Sequence, residues 1–173
     1  LPWLPVLANI EPPVLRRKAA VDKLLTKAVA HADWGLHDDI THPPPYRLSS
    51  RLPLWKDMKP LDTTARWREE WSSAPVVNSF LVCDPAIRQP GFELPRRQWS
   101  LLNRFRTAQG QCRVCLKRWG QASSDLCDCG EIQTMSHIVD TCPLTRFEGG
   151  LQGLHGADGA AVMWLKKMRH GTR

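Results

Sequence analysis

Four residues near the C-terminus restrict this chain more than anything else in it: Cys127, Cys129, His137 and Cys142, spaced C-x-C-x7-H-x4-C. Thiolates and imidazole in a set of four suit Zn²⁺, which takes N and S ligands in a tetrahedron. A site whose four positions are all filled by protein has no place for water, so such a zinc is structural. Cys127-Asp128-Cys129-Gly130 forms one half-site, and Gly130 permits the tight turn that aims both sulfurs to one side. Thr134 stands where it can cap a short helix running through His137 to Thr141. That helix poses a geometric problem. Five residues at about 100° each carry Cys142 about 140° around the axis from His137, so a regular helix cannot aim both at one ion. The helix must loosen before Cys142, and Pro143 is placed to end it.

Three thiolates and a neutral imidazole on Zn²⁺ sum to a charge of −1, which Arg113, Lys117 and Arg118 can offset while favouring the thiolate forms. Cys112-Arg113-Val114-Cys115 supplies a further C-x2-C pair. It can combine with Cys127 and Cys129, or with His137 and Cys142, but one tetrahedral ion cannot use all six donors. The 127/129/137/142 set is preferred because it is locally compact. Cys83 has no partner in sequence and reads as a small buried residue. The chain has six Cys, an even number, yet five of them fall between Cys112 and Cys142 with a His among them, which suits a metal better than a disulfide framework.

With 173 residues, 42% of them apolar, the chain is long enough for one ordinary domain or two small ones and apolar enough to be globular. No apolar run approaches the roughly 20 residues that span a bilayer. Leu1 to Ile10 contain Pro2 and Pro5 and no basic residue, unlike a signal peptide; without an initiator Met, the chain reads as a fragment or processed piece. Net charge is +7, and its placement is uneven: residues 1–95 hold 12 basic and 11 acidic side chains, residues 96–173 hold 12 and 6. Between Leu94 and Asp125 no carboxylate occurs, while Arg96, Arg97, Arg104, Arg106, Arg113, Lys117 and Arg118 all do. Such a field attracts polyanions, and these residues are the expected phosphate contacts. Trp119 stands beside them as a candidate base-stacking residue or, equally, a core residue.

Thirteen of the fourteen Pro lie at or before Pro95, so the front half should be short elements joined by extended connections and the back half more regularly helical. Apolar spacing predicts a helix from Pro12-Pro13 to about Ala32, one from Asp62 or Thr63 to about Ser72, one from Leu94 to about Thr107, and one from Asp158 to about Arg169. Trp67 and Trp71, four apart, should share a core face. Trp99, Leu102 and Phe105 give the third helix an apolar stripe beside its arginines. Residues 40–60, with Pro43-Pro44-Pro45, read as an extended linker pinned through Leu52, Leu54 and Trp55. Gly149 to Gly159 contain five Gly and should be loop or weak helix. The expected fold is mostly α: short helices on Pro-rich linkers and a small C-terminal CCHC knuckle, divided into residues 1–93 and 94–173.

The run Leu94 to Gly110, LPRRQWSLLNRFRTAQG, followed by Cys127-Asp-Cys129-Gly and Gln133-Thr-Met-Ser-His137-Ile-Val-Asp-Thr-Cys142-Pro, resembles the C-terminal segment of non-LTR, LINE-type (RTE-like) retrotransposon reverse transcriptases. Leu4 to Arg17, His42-Pro-Pro-Pro45 and Asp84 to Phe92 are similar to upstream pieces of the same segment. The resemblance implies a helical linker after the polymerase thumb, ending in a CCHC zinc knuckle that holds template RNA or target DNA, with Cys127, Cys129, His137 and Cys142 as ligands. It implies RNA or DNA as partner and an intracellular, nuclear setting, with no membrane and no small-molecule substrate. It does not bring polymerase activity to this chain. The only Tyr, Tyr46, precedes Arg47, and Leu36-His37-Asp38-Asp39 has paired Asp without the aromatic residue or flanking strands of a polymerase hairpin, so it reads as a solvated turn. No catalytic residue is expected. A hydrolase or deaminase would need an open ligand position and a general base, and Glu131 lacks the H-x-E arrangement. A zinc-stabilised protein-interaction module, or a remnant or domesticated piece of a mobile element, are the competing readings.

Overall fold

The computed structural model describes residues 2–42 and 62–168. The Pro-rich linker with Leu52, Leu54 and Trp55 lies almost wholly outside the described residues, as do Tyr46, Arg169 and His170. Eight α-helices follow one another among them: α1 (Trp3–Ala8), α2 (Pro13–Ala30), α3 (His37–Thr41), α4 (Thr63–Ser73), α5 (Arg96–Arg106), α6 (Arg113–Arg118), α7 (Gly150–His155) and α8 (Gly159–Met168). A 3₁₀ turn at Ser79–Leu81 and a π-helical turn at His137–Thr141 complete the regular structure. Among the described residues no strand forms; an isolated antiparallel bridge joins Leu126 to Ile132.

The longer helices begin where their residues dictate. Pro13 opens α2, where its missing N–H and fixed φ cost nothing. Asp62 caps α4, its carboxylate accepting the N–H groups of Thr64 and Ala65 at 3.0 and 3.1 Å. Trp67 and Trp71 are both buried, as their spacing predicts. Trp71 meets Trp3 of α1 edge to face at 5.2 Å, and each indole N–H reaches a backbone carbonyl, Trp3 that of Val77 and Trp71 that of Val82. α2 packs on α3 and α4, whereas α5 packs on α7 and α8. The change of partners falls between α4 and α5, yet a single apolar cluster runs from Trp3, Leu15 and Trp67 through Leu102 and Phe105 to Leu154 and Leu165.

Two expectations need correction. Cys83 is exposed, not a core residue. Leu36 to Asp39 do not form a simple turn: His37 starts the one-turn helix α3, with Asp38 and Asp39 in its first turn, where carboxylates suit the helix dipole. Gly149 to Gly159, expected as loop or weak helix, contain the short helix α7, where Leu151 and Leu154 bury against the core. The six-residue helices α1 and α6 escaped sequence reading because a turn and a half shows no periodicity.

The third correction concerns Arg106, which is fully buried rather than available to phosphates. Its Nε–H donates to His155 Nδ1 at 3.0 Å, and its terminal nitrogens donate to the carbonyls of Pro90 (2.6 Å) and His155 (3.0 Å) and to Asn103 Oδ1 (3.0 Å). The guanidinium also lies over the Trp99 ring, 5.2 Å from its centroid. Burial lowers Arg106 to about 10, so it stays charged at neutral pH. Burial, followed by the adjacent guanidinium, lowers His155 from 6.5 to about 4. A neutral imidazole can accept the Arg106 N–H; an imidazolium cannot.

A pH dependence follows with a definite sign. Between about 6.5 and about 4 the unfolded chain protonates at residue 155 while the folded chain does not. This group's full stabilisation is therefore present above the upper value and lost progressively as pH falls through the window. His155→Asn keeps an acceptor for Arg106 but cannot be protonated. Urea unfolding at neutral pH and at about pH 5 should show a smaller loss of stability on acidification for the variant than for the parent; equal losses would contradict the assignment.

Candidate metal centre and basic grooves

Two short segments bring the four donors together. In the first, Leu126 and Ile132 pair across a hairpin in which the Cys127 N–H donates to the Glu131 carbonyl at 2.7 Å and the Gly130 N–H to the Cys127 carbonyl at 2.9 Å. Gly130 takes φ 92°, a left-handed conformation that a side chain would strain. In the second, Thr134 Oγ1 accepts the His137 N–H at 3.0 Å, the expected cap. The required loosening of the helix is a π turn: the Cys142 N–H donates to the His137 carbonyl, five residues back, at 2.8 Å. The wider turn sets His137 and Cys142 over each other on one side.

The donor atoms of Cys127, Cys129, His137 and Cys142 all lie within 4.8 Å of one another. Cys127 Sγ and Cys142 Sγ are 3.8 Å apart, and Cys129 Sγ lies 3.2 Å from His137 Nε2. A tetrahedral ion with metal–sulfur bonds of about 2.3 Å would hold two sulfurs about 3.8 Å apart, and a sulfur and an imidazole nitrogen about 3.5 Å apart. The cluster thus has the dimensions to hold a metal ion. His137 presents Nε2 to it, while Nδ1 lies 3.0 Å from Thr141 Oγ1, which fixes the ring.

The thiols do not share one environment. Burial would raise Cys142, but the Thr145 hydroxyl, the Leu144 N–H and the neighbouring Cys127 outweigh it and bring it down to about 6. At Cys129 the Glu131 backbone favours the thiolate, yet burial and the flanking Cys127 and Cys142 prevail and push the thiol up.

Cys112 and Cys115 stand apart from the four. Cys112, at 2% exposure, belongs to the core. Burial, and then its contact with Cys112, raises the Cys115 thiol. The C-x2-C pair opens α6 instead, and α6 is tied to the cluster through Gln133. That side chain accepts the Arg113 N–H on Oε1 at 3.0 Å and donates from Nε2 to Cys127 Sγ at 3.3 Å; its carbonyl accepts the Val114 N–H at 3.2 Å. Nothing in the sequence marked Gln133 or Thr141 for these roles, since amide and hydroxyl side chains have no spacing signature.

The basic residues fall into different classes. Arg113 pairs with Asp128 at 3.3 Å and Lys117 with Asp125 at 3.1 Å, so both bind α6 to the hairpin carboxylates. Both pairs are exposed and screened by solvent, so they position α6 more than they stabilise it. Arg118 is exposed, and Trp119 is 53% exposed rather than a core residue. Of the seven cations expected to be unneutralised, Arg96, Arg97, Arg104 and Arg118 are the ones that have no carboxylate partner among the described residues and lie on the surface.

Three of these edge two grooves that run along α5. One, about 790 Å³, has Arg97, Lys166, Leu101, Phe105, Leu165 and Met135 in its wall. The other, about 680 Å³, lies between α5 and α1 and includes Trp3, Leu7, Val76 and Trp99. Arg96, Ser100 and Arg104 border both. Among the described residues no Asp or Glu lines either groove. Gly110 lets Met135 sit directly on the chain after α5, where a Cβ would collide with the thioether. That close approach joins the groove to the segment bearing His137.

No family model, no curated protein and no solved structure matches the chain.

Gln133 provides a direct test of the cluster. Gln133→Leu removes the donor to Cys127 Sγ and the acceptor of the Arg113 N–H. Metal affinity, measured by titrating Co²⁺ against a chelator, should fall roughly 10- to 100-fold, as for other lost partners of metal ligands. An unchanged affinity would show that Gln133 does not support the site.

Proposed function

We propose that this chain is the nucleic-acid-binding C-terminal part of a non-LTR retrotransposon reverse transcriptase, built around one structural Zn²⁺ held by Cys127, Cys129, His137 and Cys142 as a CCHC knuckle. The observation that carries the reading is the line of Arg96, Arg97 and Arg104 along α5, bordering grooves without a carboxylate. Exposed guanidinium groups with no internal partner are suited to phosphate oxygens, which they can grip through paired N–H donors. Zinc suits the donor set: three sulfurs and a nitrogen within 4.8 Å of one another, where Cys127, Cys142 and His137 are buried. With all ligand positions supplied by protein, the ion's part is to hold the segment in shape, and the chain contributes no catalytic residue. Template RNA or target DNA is the proposed partner, and a nuclear location follows from that role.

Leu126, Ile132 and Leu144 are exposed around the hairpin and favour a second reading, in which the same fold meets a protein partner with an acidic face.

Salt separates the two. Contacts with three phosphates give a log–log slope of affinity against salt of about −2 to −3. Binding of the zinc-loaded chain to oligonucleotides should show that slope, and the double variant Arg96→Ala, Arg104→Ala should weaken binding and flatten it. No measurable oligonucleotide binding at low salt, or binding indifferent to both salt and the double variant, would overturn the proposal.

A further inference from the structure

We propose that the ligand of α5 is a single strand of nucleic acid, its phosphates on the ridge of Arg96, Ser100 and Arg104 and its bases turned into the two grooves on either side. This rests on the nucleic-acid reading above and narrows it to one strand form.

The ridge is a helical register. Residues four apart step along an α-helix by about 6 Å and drift about 40° around it, so Arg96, Ser100 and Arg104 form one ridge inclined to the axis. Arg97, one residue on, borders only the groove on the α8 side, where Lys166 also stands. Positive charge therefore follows the crest and one bank.

α5 is badly placed to read a duplex. A recognition helix enters a major groove about 12 Å wide while itself about 10–12 Å across, so it must stand clear of its neighbours. α5 does not stand clear. Leu102, Phe105 and Arg106 are buried, α1 with Val76 shoulders it on one side, and α8 with Met135 shoulders it on the other. Only a stripe of its surface is open. A duplex resting on that stripe would touch it through phosphates alone and leave both grooves unused.

The grooves have the chemistry of base receptors. Each has accessible apolar side chains in its wall, Leu4, Val77 and Trp99 in one, Leu101, Ile138 and Met168 in the other. Phosphate and sugar gain nothing from such walls, whereas unpaired bases offer flat apolar faces to them. Both volumes lie in the range of about 300–1,000 Å³ usual for sites that take ring-bearing ligands. The Trp99 indole is held between the edge of Phe92, 5.5 Å away, and the Arg106 guanidinium, so that wall is fixed before any ligand arrives.

The test uses the full zinc-loaded chain and fluorescence anisotropy at one moderate salt concentration. Three labelled probes of equal length are compared: a mixed-sequence single strand, the same sequence as a duplex, and an abasic single strand. The single strand should bind about tenfold or more tighter than either of the others, because base contacts of this kind are each worth about that factor. Ser100→Glu, which places a carboxylate on the exposed ridge between two arginines, should weaken single-strand binding by a similar factor without changing thermal stability. Duplex binding equal to or tighter than single-strand binding overturns this inference and leaves nucleic-acid binding intact. So does equal affinity for the abasic strand, which would mean the grooves take no bases. Failure to bind all three probes overturns both this inference and the function on which it rests.

Discussion

Four donors from two short segments must converge within 4.8 Å, and the rest of the C-terminal region is arranged around that convergence. The hairpin at Gly130 supplies two sulfurs and the π turn supplies the other two donors. From there the connections are continuous. Asp140, inside the π turn, accepts the Leu151 N–H at 2.7 Å and so holds the start of α7. His155, at the end of α7, holds Arg106, and Arg106 is the inner anchor of α5. Distortion of the π turn would thus reach the helix that carries the exposed arginines through Asp140, α7 and the buried guanidinium. Gln133 makes a parallel connection to α6. A metal ion would act on this surface from a distance, by fixing the backbone that these contacts depend on.

The arginines of α5 show how position on a helix decides what a charge does. Arg104 and Arg106 are two residues apart, about 200° around the axis. Arg104 is exposed at the edge of both grooves; Arg106 has no exposed surface. A buried guanidinium costs several kcal/mol unless its donors are satisfied, and here they meet two carbonyls, an amide oxygen and a neutral imidazole. It is a structural element that orders the Pro90 turn, α5 and α7 against one another. Among the described residues the outer arginines have no such partners, which leaves them available for the proposed interaction with phosphates.

Much of this was legible in the sequence, and what was missed was missed for identifiable reasons. The convergence of the four Cys and His donors was readable because their spacing is short and their chemistry distinctive, and even the departure from α-helical geometry before Cys142 followed from the angle between His137 and Cys142. The longer helices α2, α4, α5 and α8 were readable from apolar spacing and from Pro13 and Asp62 at their starts. The fate of Arg106 was misread although a signal existed: it lies four residues after Leu102 and seven after Trp99, on the apolar side of its helix. The pairing of Arg113 and Lys117 was unreadable, because their partners Asp128 and Asp125 approach only once the hairpin folds back on α6. The grooves depend on α1 and α8 meeting α5 from opposite sides, a tertiary fact with no local trace. Cys83 has no partner in sequence, and nothing local marks which side of the chain it takes: its neighbours Val82 and Pro85 are buried where it is not.

The central claim is that a single tetrahedrally held ion shapes this region. Native mass spectrometry of the purified full chain, read together with the visible spectrum after Co²⁺ replacement, tests it most directly. The expected result is one zinc per chain, thiolate-to-cobalt charge transfer with the intense visible bands of a tetrahedral site, and loss of both in Cys142→Ser. A chain that is metal-free as purified, takes up no stoichiometric Co²⁺ and still unfolds cooperatively would contradict it.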